Sequence, residues 1–222
     1  MNKWLFAAAS GVALLASACA QAATINFTPG TSSLLEGDPL AVTETFDGAG
    51  CSAMSGATIT GNFNLSNTSV GGIRAQPAGT SSCYAAVPAN GGSGSATFDF
   101  GVMSGDRINY LGLYWGSIDT YNSVTFFDSA NTELLTVTGS QALASMSAAG
   151  NQSSWASNRY VNIFFDMGEA VSYFTATSTQ YAFEFDNVTV RTDGDIAVPE
   201  PAALSLLGFG LVAVAWRRRR RA

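Results

Sequence analysis

The 222-residue sequence is acidic and contains no histidine, with 16 Asp and Glu against 10 Lys and Arg. Six of the ten cations lie within the first three and last six residues. Residues 23–197 carry 15 acidic side chains and only four arginines, a net charge of about −11. That charge repels nucleic acid phosphates, and the absence of histidine removes Ser-His-Asp, Cys-His and His-ligated zinc catalysis. The sequence therefore excludes nucleic acid binding and the commonest hydrolase chemistries.

The first 22 residues have the pattern of a secretory signal peptide. Lys3 precedes an uncharged apolar run, Trp4–Leu15, and Ala20-Gln21-Ala22 supplies the small residues that signal peptidase requires. We predict cleavage after Ala22. An alternative is lipoprotein cleavage before Cys19, although residues 15–19 resemble a lipobox only loosely. A buried N-terminal helix is a third alternative, which the shortness of the run disfavours.

Two cysteines, Cys51 and Cys83, remain once Cys19 leaves with the signal peptide. An even pair in an exported protein predicts a disulfide. Both residues lie among Ser, Gly and Ala rather than in apolar strands, which disfavours the alternative of two buried free thiols. The bond would close a loop of about 33 residues and contribute roughly 3–4 kcal/mol on the chain-entropy model.

Residues 23–197 predict a single all-β domain. Apolar and polar residues alternate over 57–65, 96–100, 159–165 and 181–190, with Gly-, Ser- and Asn-rich turns between these runs. About ten short strands at such spacing favour an antiparallel β-sandwich that is jelly-roll-like. The small-residue stretch 141–149 is the one helical candidate, and a loop is its alternative.

The run from Ile108 to Asp128 predicts strand, turn and strand, with residues 116–120 as the connection. Tyr114 and Trp115 are adjacent, so their side chains point to opposite faces of the strand. We expect one to pack in the core and the other to be able to face solvent.

Four tyrosines are candidates for stacking on a sugar ring, because an aromatic face suits apolar C–H patches. They are Tyr110, Tyr114, Tyr121 and Tyr173. Core packing is the alternative for each of them. A sugar site would require two or three of these rings to line one groove.

Acidic residues near both ends of the domain suggest a structural calcium ion. Glu44 and Asp47 come early and Asp186 comes late, and carboxylate oxygens are suitable ligands for Ca²⁺. Acidic residues are also common at strand ends, where they need no metal. The sequence indicates no other cofactor.

An enzyme is not expected. The enzyme class that stays open is a glycoside hydrolase with a pair of catalytic carboxylates, since Glu44, Glu133 and Glu184 lie in strand-like runs. Residues 23–197 contain no lysine, so they contain no phosphate-binding loop that uses one.

The C-terminal tail, residues 198–222, has three parts. Val198, Pro199, Glu200 and Pro201 form an extended segment, because proline disfavours helix in the residue before it. Residues 202–216 predict a transmembrane helix of about 22 Å, which is shorter than the ~30 Å hydrocarbon core. Five arginines then form a stop-transfer cluster on the cytoplasmic side; they are Arg217, Arg218, Arg219, Arg220 and Arg221.

This combination of signal peptide, Pro-Glu-Pro, short apolar helix and arginines resembles the PEP-CTERM sorting architecture. The resemblance implies processing by a separate membrane protease, an exosortase, with Pro199-Glu200-Pro201 as the recognised motif. It also implies a Gram-negative bacterium that makes exopolysaccharide. We expect a transient inner-membrane anchor, then release to the cell surface or extracellular matrix. An ordinary C-terminal membrane anchor is the alternative.

Residues from Phe98 to Val190, above all 108–128, are loosely similar to a family of exosortase-dependent surface proteins first described from cyanobacteria. The molecular activity of that family is undefined, so this resemblance implies location and fold only. Two functions remain open. One is a structural, biofilm-associated protein of the exopolysaccharide layer, and the other is a lectin-like module that binds the polymer through exposed aromatics.

Overall fold

A computed structural model describes residues 23–100, 107–166 and 169–192. These residues form twelve strands and two short helical turns. The strands are β1 (Thr24–Pro29), β2 (Ala41–Glu44), β3 (Thr58–Gly61), β4 (Asn64–Ser66), β5 (Tyr84–Val87), β6 (Gly94–Asp99), β7 (Ile108–Gly116), β8 (Asn122–Phe127), β9 (Glu133–Thr138), β10 (Arg159–Phe164), β11 (Tyr173–Ser178) and β12 (Phe183–Thr192). The predicted signal peptide, the domain limit at residue 197 and the sorting tail lie outside the described residues.

The strands pack as two antiparallel sheets. One sheet has the order β1-β10-β7-β12-β5-β4, with β2 also paired to β12, and the other has the order β3-β6-β11-β8-β9. From β5 onward the chain passes to the other sheet at every connection except β8–β9. The predicted antiparallel β-sandwich is therefore confirmed, with the repeated crossing that a jelly roll also shows.

An aromatic core lies between the sheets. Phe98 on β6 stacks on Phe174 at 5.0 Å and meets Phe185 edge-on at 4.8 Å. Each buried phenylalanine contributes about 1.5–3 kcal/mol relative to an exposed one. This core explains why apolar and polar residues alternate along β6. Ala96 and Phe98 point into the core, while Thr97 points to the other side of the sheet.

The outer side of the five-stranded sheet carries a row of threonines, one from each strand. The register aligns Thr60, Thr97, Thr175, Thr125 and Thr136. Hydrogen bonds join the hydroxyls of Thr97 and Thr175 at 3.1 Å and those of Thr125 and Thr136 at 2.8 Å. Cross-strand pairs of this kind contribute about 0.2–1 kcal/mol each and leave this side of the sandwich polar.

The strands β5, β7 and β10 of the seven-stranded sheet are buried on both sides, because loops cover their outer side. Trp115 points into the core and stacks on Phe183 at 4.2 Å. Tyr114 points outward but donates a hydrogen bond to the carbonyl of Ala78 in a covering loop. Both side chains are 0% exposed, so the expectation that one of them could face solvent is wrong.

Three predicted segments differ in detail from the structure. Residues 57–65 form β3 and β4, in different sheets, because Gly61 turns the chain there with φ +99°. A Cβ at Gly61 would lie 2.7 Å from the carbonyl oxygen of Ser95, so only glycine fits. The strands predicted within 108–128 exist as β7 and β8, but they belong to different sheets. In the helical candidate, helix α1 (Gly139–Ala142) and a 3₁₀ turn at Met146–Ala148 are each a single turn.

No helix within the described ranges has both the length and the apolar character needed to cross a membrane.

Candidate functional site

The predicted disulfide between Cys51 and Cys83 is confirmed. The two Cα atoms lie 5.6 Å apart, and the bond joins the loop between β2 and β3 to the residue before β5. The carboxylate of Asp47 accepts a hydrogen bond from the Cys83 N–H at 2.8 Å, which holds the same two segments together.

Glu44 organises the loop that carries Cys51. It ends β2, is 1% exposed, and accepts hydrogen bonds from the N–H of Phe46 at 2.7 Å, Met54 at 2.8 Å and Ser55 at 2.7 Å. The Ser55 hydroxyl donates a fourth bond at 2.6 Å. Glu44 thereby secures Phe46, whose left-handed φ of +57° is strained for a residue with a side chain.

The three predicted calcium ligands lie in one region, and protein donors engage at least one oxygen of each. Strand β2 pairs with β12, and the charges of Asp47 and Glu44 act on Asp186. Burial, helped by these two charges, raises the pKa of Asp186 to about 7. Its two oxygens accept from the Asn187 N–H and the Ser82 hydroxyl.

This arrangement is a poor fit to calcium. The carboxylate of Glu44 already accepts four hydrogen bonds. Across the described residues, no group of three or more His, Cys, Asp or Glu side chains is placed to hold a metal ion. Calcium at Glu44, Asp47 and Asp186 stays a prediction.

The four candidate tyrosines do not line one groove. Tyr110 and Tyr114 are 0% exposed, and the Tyr110 hydroxyl donates to Asn162 Oδ1 at 2.6 Å under a covering loop. A sugar cannot stack on either ring, so the prediction is wrong for these two. Tyr173 lies on the outer side of the five-stranded sheet, where it stacks on Phe127 at 4.9 Å. Tyr121 alone of the four lines a pocket described below.

We call that cavity the Tyr181 pocket. It has a volume of about 290 Å³ and is formed by residues 72–75, by the connection between β7 and β8, by Gly150 and Gln152, and by Tyr181, Ala182 and Glu184. Its main side chains are Arg74, Ser117, Asp119, Tyr121, Tyr181 and Glu184.

Glu184 lies on the inner wall of the Tyr181 pocket and is 3% exposed. One carboxyl oxygen accepts the Ala75 N–H at 2.8 Å, and the other accepts the Ser117 hydroxyl at 2.8 Å. Burial, and to a lesser degree the charge of Asp119, raises the pKa of Glu184 to about 8, although both hydrogen bonds lower it.

Asp119 and Tyr121 form a second polar pair in the pocket. The Tyr121 hydroxyl donates to Asp119 Oδ2 at 2.7 Å. Burial raises the pKa of the Asp119 carboxyl, and burial together with this carboxylate raises the pKa of Tyr121, so the phenol stays neutral. Gly150 has no side chain, so the chain can pass close to the Asp119 carboxylate; a Cβ at this position would lie 2.7 Å from Asp119 Oδ1.

Tyr181 stands at the edge of the pocket with 55% of its side chain exposed. The alternation over residues 181–190 placed Tyr181 in one strand with Phe183 and Phe185, on the same face, but β12 begins only at Phe183. The polar residues Ser178-Thr179-Gln180 before it, where β11 ends, are the signal that could have indicated a connection at this point.

The fold and the tail together define an exported β-sandwich protein. Residues 197–220 match the family model described as the PEP-CTERM protein-sorting motif, which confirms the resemblance seen in the tail. The motif indicates an exosortase-sorted, exported surface protein with a transient C-terminal membrane anchor. The resemblance of the domain to the family first described from cyanobacteria stays a prediction.

Two further comparisons were made at the level of whole chains. No curated protein matches the sequence. Among solved structures, the chain is similar to the K2 cleaved adhesin domain of Lys-gingipain, with a TM-score of 0.40 and 11% identity, over 68% of this chain and 99% of that one.

Proposed function

We propose that the mature domain is a non-catalytic protein of the cell surface or extracellular matrix, associated with the exopolysaccharide of a biofilm. The observation that carries the proposal is the sorting motif at residues 197–220. A disulfide between covering segments and a polar sheet surface suit a domain that is displayed outside the cell. Its partners during maturation are signal peptidase, an exosortase and the inner membrane.

The positions of the glutamates support a non-catalytic role. Both oxygens of Glu44 and both oxygens of Glu184 are held by protein donors. Glu133 is exposed on β9 and accepts from the Thr136 hydroxyl at 2.8 Å. A glycoside hydrolase needs two carboxyl groups that reach one glycosidic bond, whereas the carboxyl oxygens of Glu44 and Glu184 are already hydrogen-bonded within the protein.

The lectin-like alternative is favoured by one observation, which is the exposed aromatic ring of Tyr181 beside the polar Tyr181 pocket. The structural role and the lectin-like role are compatible, because a matrix protein can be retained in the matrix by binding its polymer.

Two variants of the native protein test the sorting step in the cell. Replacing Pro199-Glu200-Pro201 by three alanines should leave full-length protein in the inner membrane, because the anchor stays but the recognised segment is lost. Replacing Arg217 to Arg221 by serine should release part of the population uncut, since an arginine at the bilayer centre costs roughly 2.5–3.5 kcal/mol and serine removes that barrier. Cell fractionation with intact-mass analysis separates these outcomes.

The association with polymer is tested on the processed protein released by the wild-type strain. We expect it to co-sediment with exopolysaccharide isolated from the same cells, with bovine serum albumin, another acidic protein, as the control. If the triple-alanine variant still reaches the surface at the shortened mass, exosortase processing is wrong. If the processed protein stays in the supernatant, the matrix role is wrong.

A further inference from the structure

The Tyr181 pocket has the size of a site for one small ring. Its volume of about 290 Å³ is just below the range of ligand pockets, which is roughly 300–1,000 Å³. Tyr181 keeps more than half of its side chain in solvent at the edge, so a ligand can contact the ring without displacing other protein groups.

The chemistry of the walls suits hydroxyl groups. Asp119 supplies acceptor oxygens, Gln152 supplies both donors and acceptors, and Arg74 supplies donors. A sugar hydroxyl both donates and accepts, and therefore uses such a mixed set fully.

Charged ligands fit the pocket less well. A single arginine is accompanied by the Asp119 carboxylate, and the domain around it is strongly acidic, which disfavours phosphate or a uronic acid. A divalent cation would find both oxygens of Glu184 already held by the Ala75 N–H and the Ser117 hydroxyl. Calcium prefers six to eight oxygen ligands, and this pocket does not offer them.

We infer that the Tyr181 pocket binds one neutral sugar residue, with the Tyr181 ring against its C–H face and Asp119 and Gln152 hydrogen-bonded to its hydroxyls. The role of this sugar in the matrix rests on the proposed function, whereas the site rests on its own geometry. Tyr121 positions Asp119 through the 2.7 Å hydrogen bond, and Gly150 leaves room for that carboxylate. Groups fixed in this way lose little entropy when a ligand binds.

The test is isothermal titration calorimetry, with a saturation-transfer NMR repeat, on the processed protein released by cells. The probes are D-glucose, D-galactose, D-mannose and N-acetyl-D-glucosamine, with D-glucuronate, inorganic phosphate and Ca²⁺ as charged comparisons. We expect saturable binding of at least one neutral sugar. Tyr181→Ala should weaken it about tenfold, the order expected for loss of an aromatic contact.

Tyr173→Ala is the matched control, because it makes the same chemical change on the outer side of the other sheet and should leave affinity unchanged. Gln152→Ala is a second pocket variant at an exposed position, where folding is not at risk, and it should also weaken binding. A far-ultraviolet circular dichroism spectrum checks that each variant is folded.

Three results would overturn the inference and leave the matrix role standing. They are binding of no neutral sugar while the protein still co-sediments with exopolysaccharide, equal affinity in wild type and Tyr181→Ala, and preference for glucuronate, phosphate or Ca²⁺. Absence of both sugar binding and co-sedimentation would overturn the inference and the proposed function together.

Discussion

Replacing Glu44 by glutamine should destabilise the domain although it changes only one atom of the side chain. One carboxylate oxygen accepts a single N–H, from Phe46, and the other accepts the N–H of Met54 and both donors of Ser55. A glutamine has one acceptor oxygen and one NH₂ donor. Its oxygen will turn to the three donors, which leaves NH₂ against the Phe46 N–H in a buried site.

The magnitude follows from this count. One hydrogen bond to a charged group is lost, about 1.5–3 kcal/mol, and the three that remain become neutral and weaker. Relief from burying a charge offsets part of this. We expect the free energy of unfolding to fall by about 2–4 kcal/mol, a large share of the 5–15 kcal/mol of a typical domain. The backbone at Phe46 should be the part most affected, because its strained conformation depends on the hydrogen bond to Glu44.

Urea unfolding of the processed protein, followed by tryptophan fluorescence, measures this change. Glu133→Gln is the matched control, because this exposed carboxylate accepts only from the Thr136 hydroxyl, and the variant should lie within about 0.5 kcal/mol of wild type. A Glu44→Gln variant equally close to wild type, with an unchanged denaturant slope, would refute the argument that Glu44 secures the loop.

Three further predictions concern stability. Burial raises the pKa of Glu184 from 4.5 to about 8. Between these two pH values the folded protein keeps a proton on Glu184 that the unfolded chain has released. As the pH rises through this window, Glu184 should therefore lower the free energy of unfolding by about 1.4 kcal/mol per pH unit. Glu184→Gln should remove this slope in denaturant titrations. The falls of the same sign that come from Asp186, up to about pH 7, and from Asp119 should remain. An unchanged slope in the variant would contradict the assignment. Replacing Cys51 and Cys83 by serine should lower the unfolding free energy by roughly 3–4 kcal/mol, and a loss below 1 kcal/mol would show that the hydrogen-bonded loop holds without the bond. If calcium binds at Glu44, Asp47 and Asp186, excess chelator should lower the melting temperature, because a bound ion stabilises the native state. An unchanged melt with no calcium by elemental analysis would remove this prediction and would agree with the four protein donors that occupy Glu44.

The sequence alone determined that this protein is sorted for export, because the sorting motif at residues 197–220 is a pattern of neighbouring residues that needs no tertiary structure to be seen. The predicted signal peptide is a local pattern of the same kind. The same holds for the inward side chains of β6 and β10, because alternation along a strand is a local property. The disulfide was also predictable, since residues 23–197 contain only two cysteines.

The tertiary structure decided which polar and aromatic residues face solvent. Tyr114 and Tyr181 both occur in strand-like runs, yet one lies under a loop more than thirty residues away along the chain and the other stands at the edge of a pocket. Glu44, Asp119 and Glu184 all carry a carboxyl group. Burial and the surrounding hydrogen-bond donors are what make Glu44 a residue that holds a loop and the other two residues that line the pocket. A sequence pattern specifies the side of a strand, whereas the cover over that side comes from segments distant along the chain.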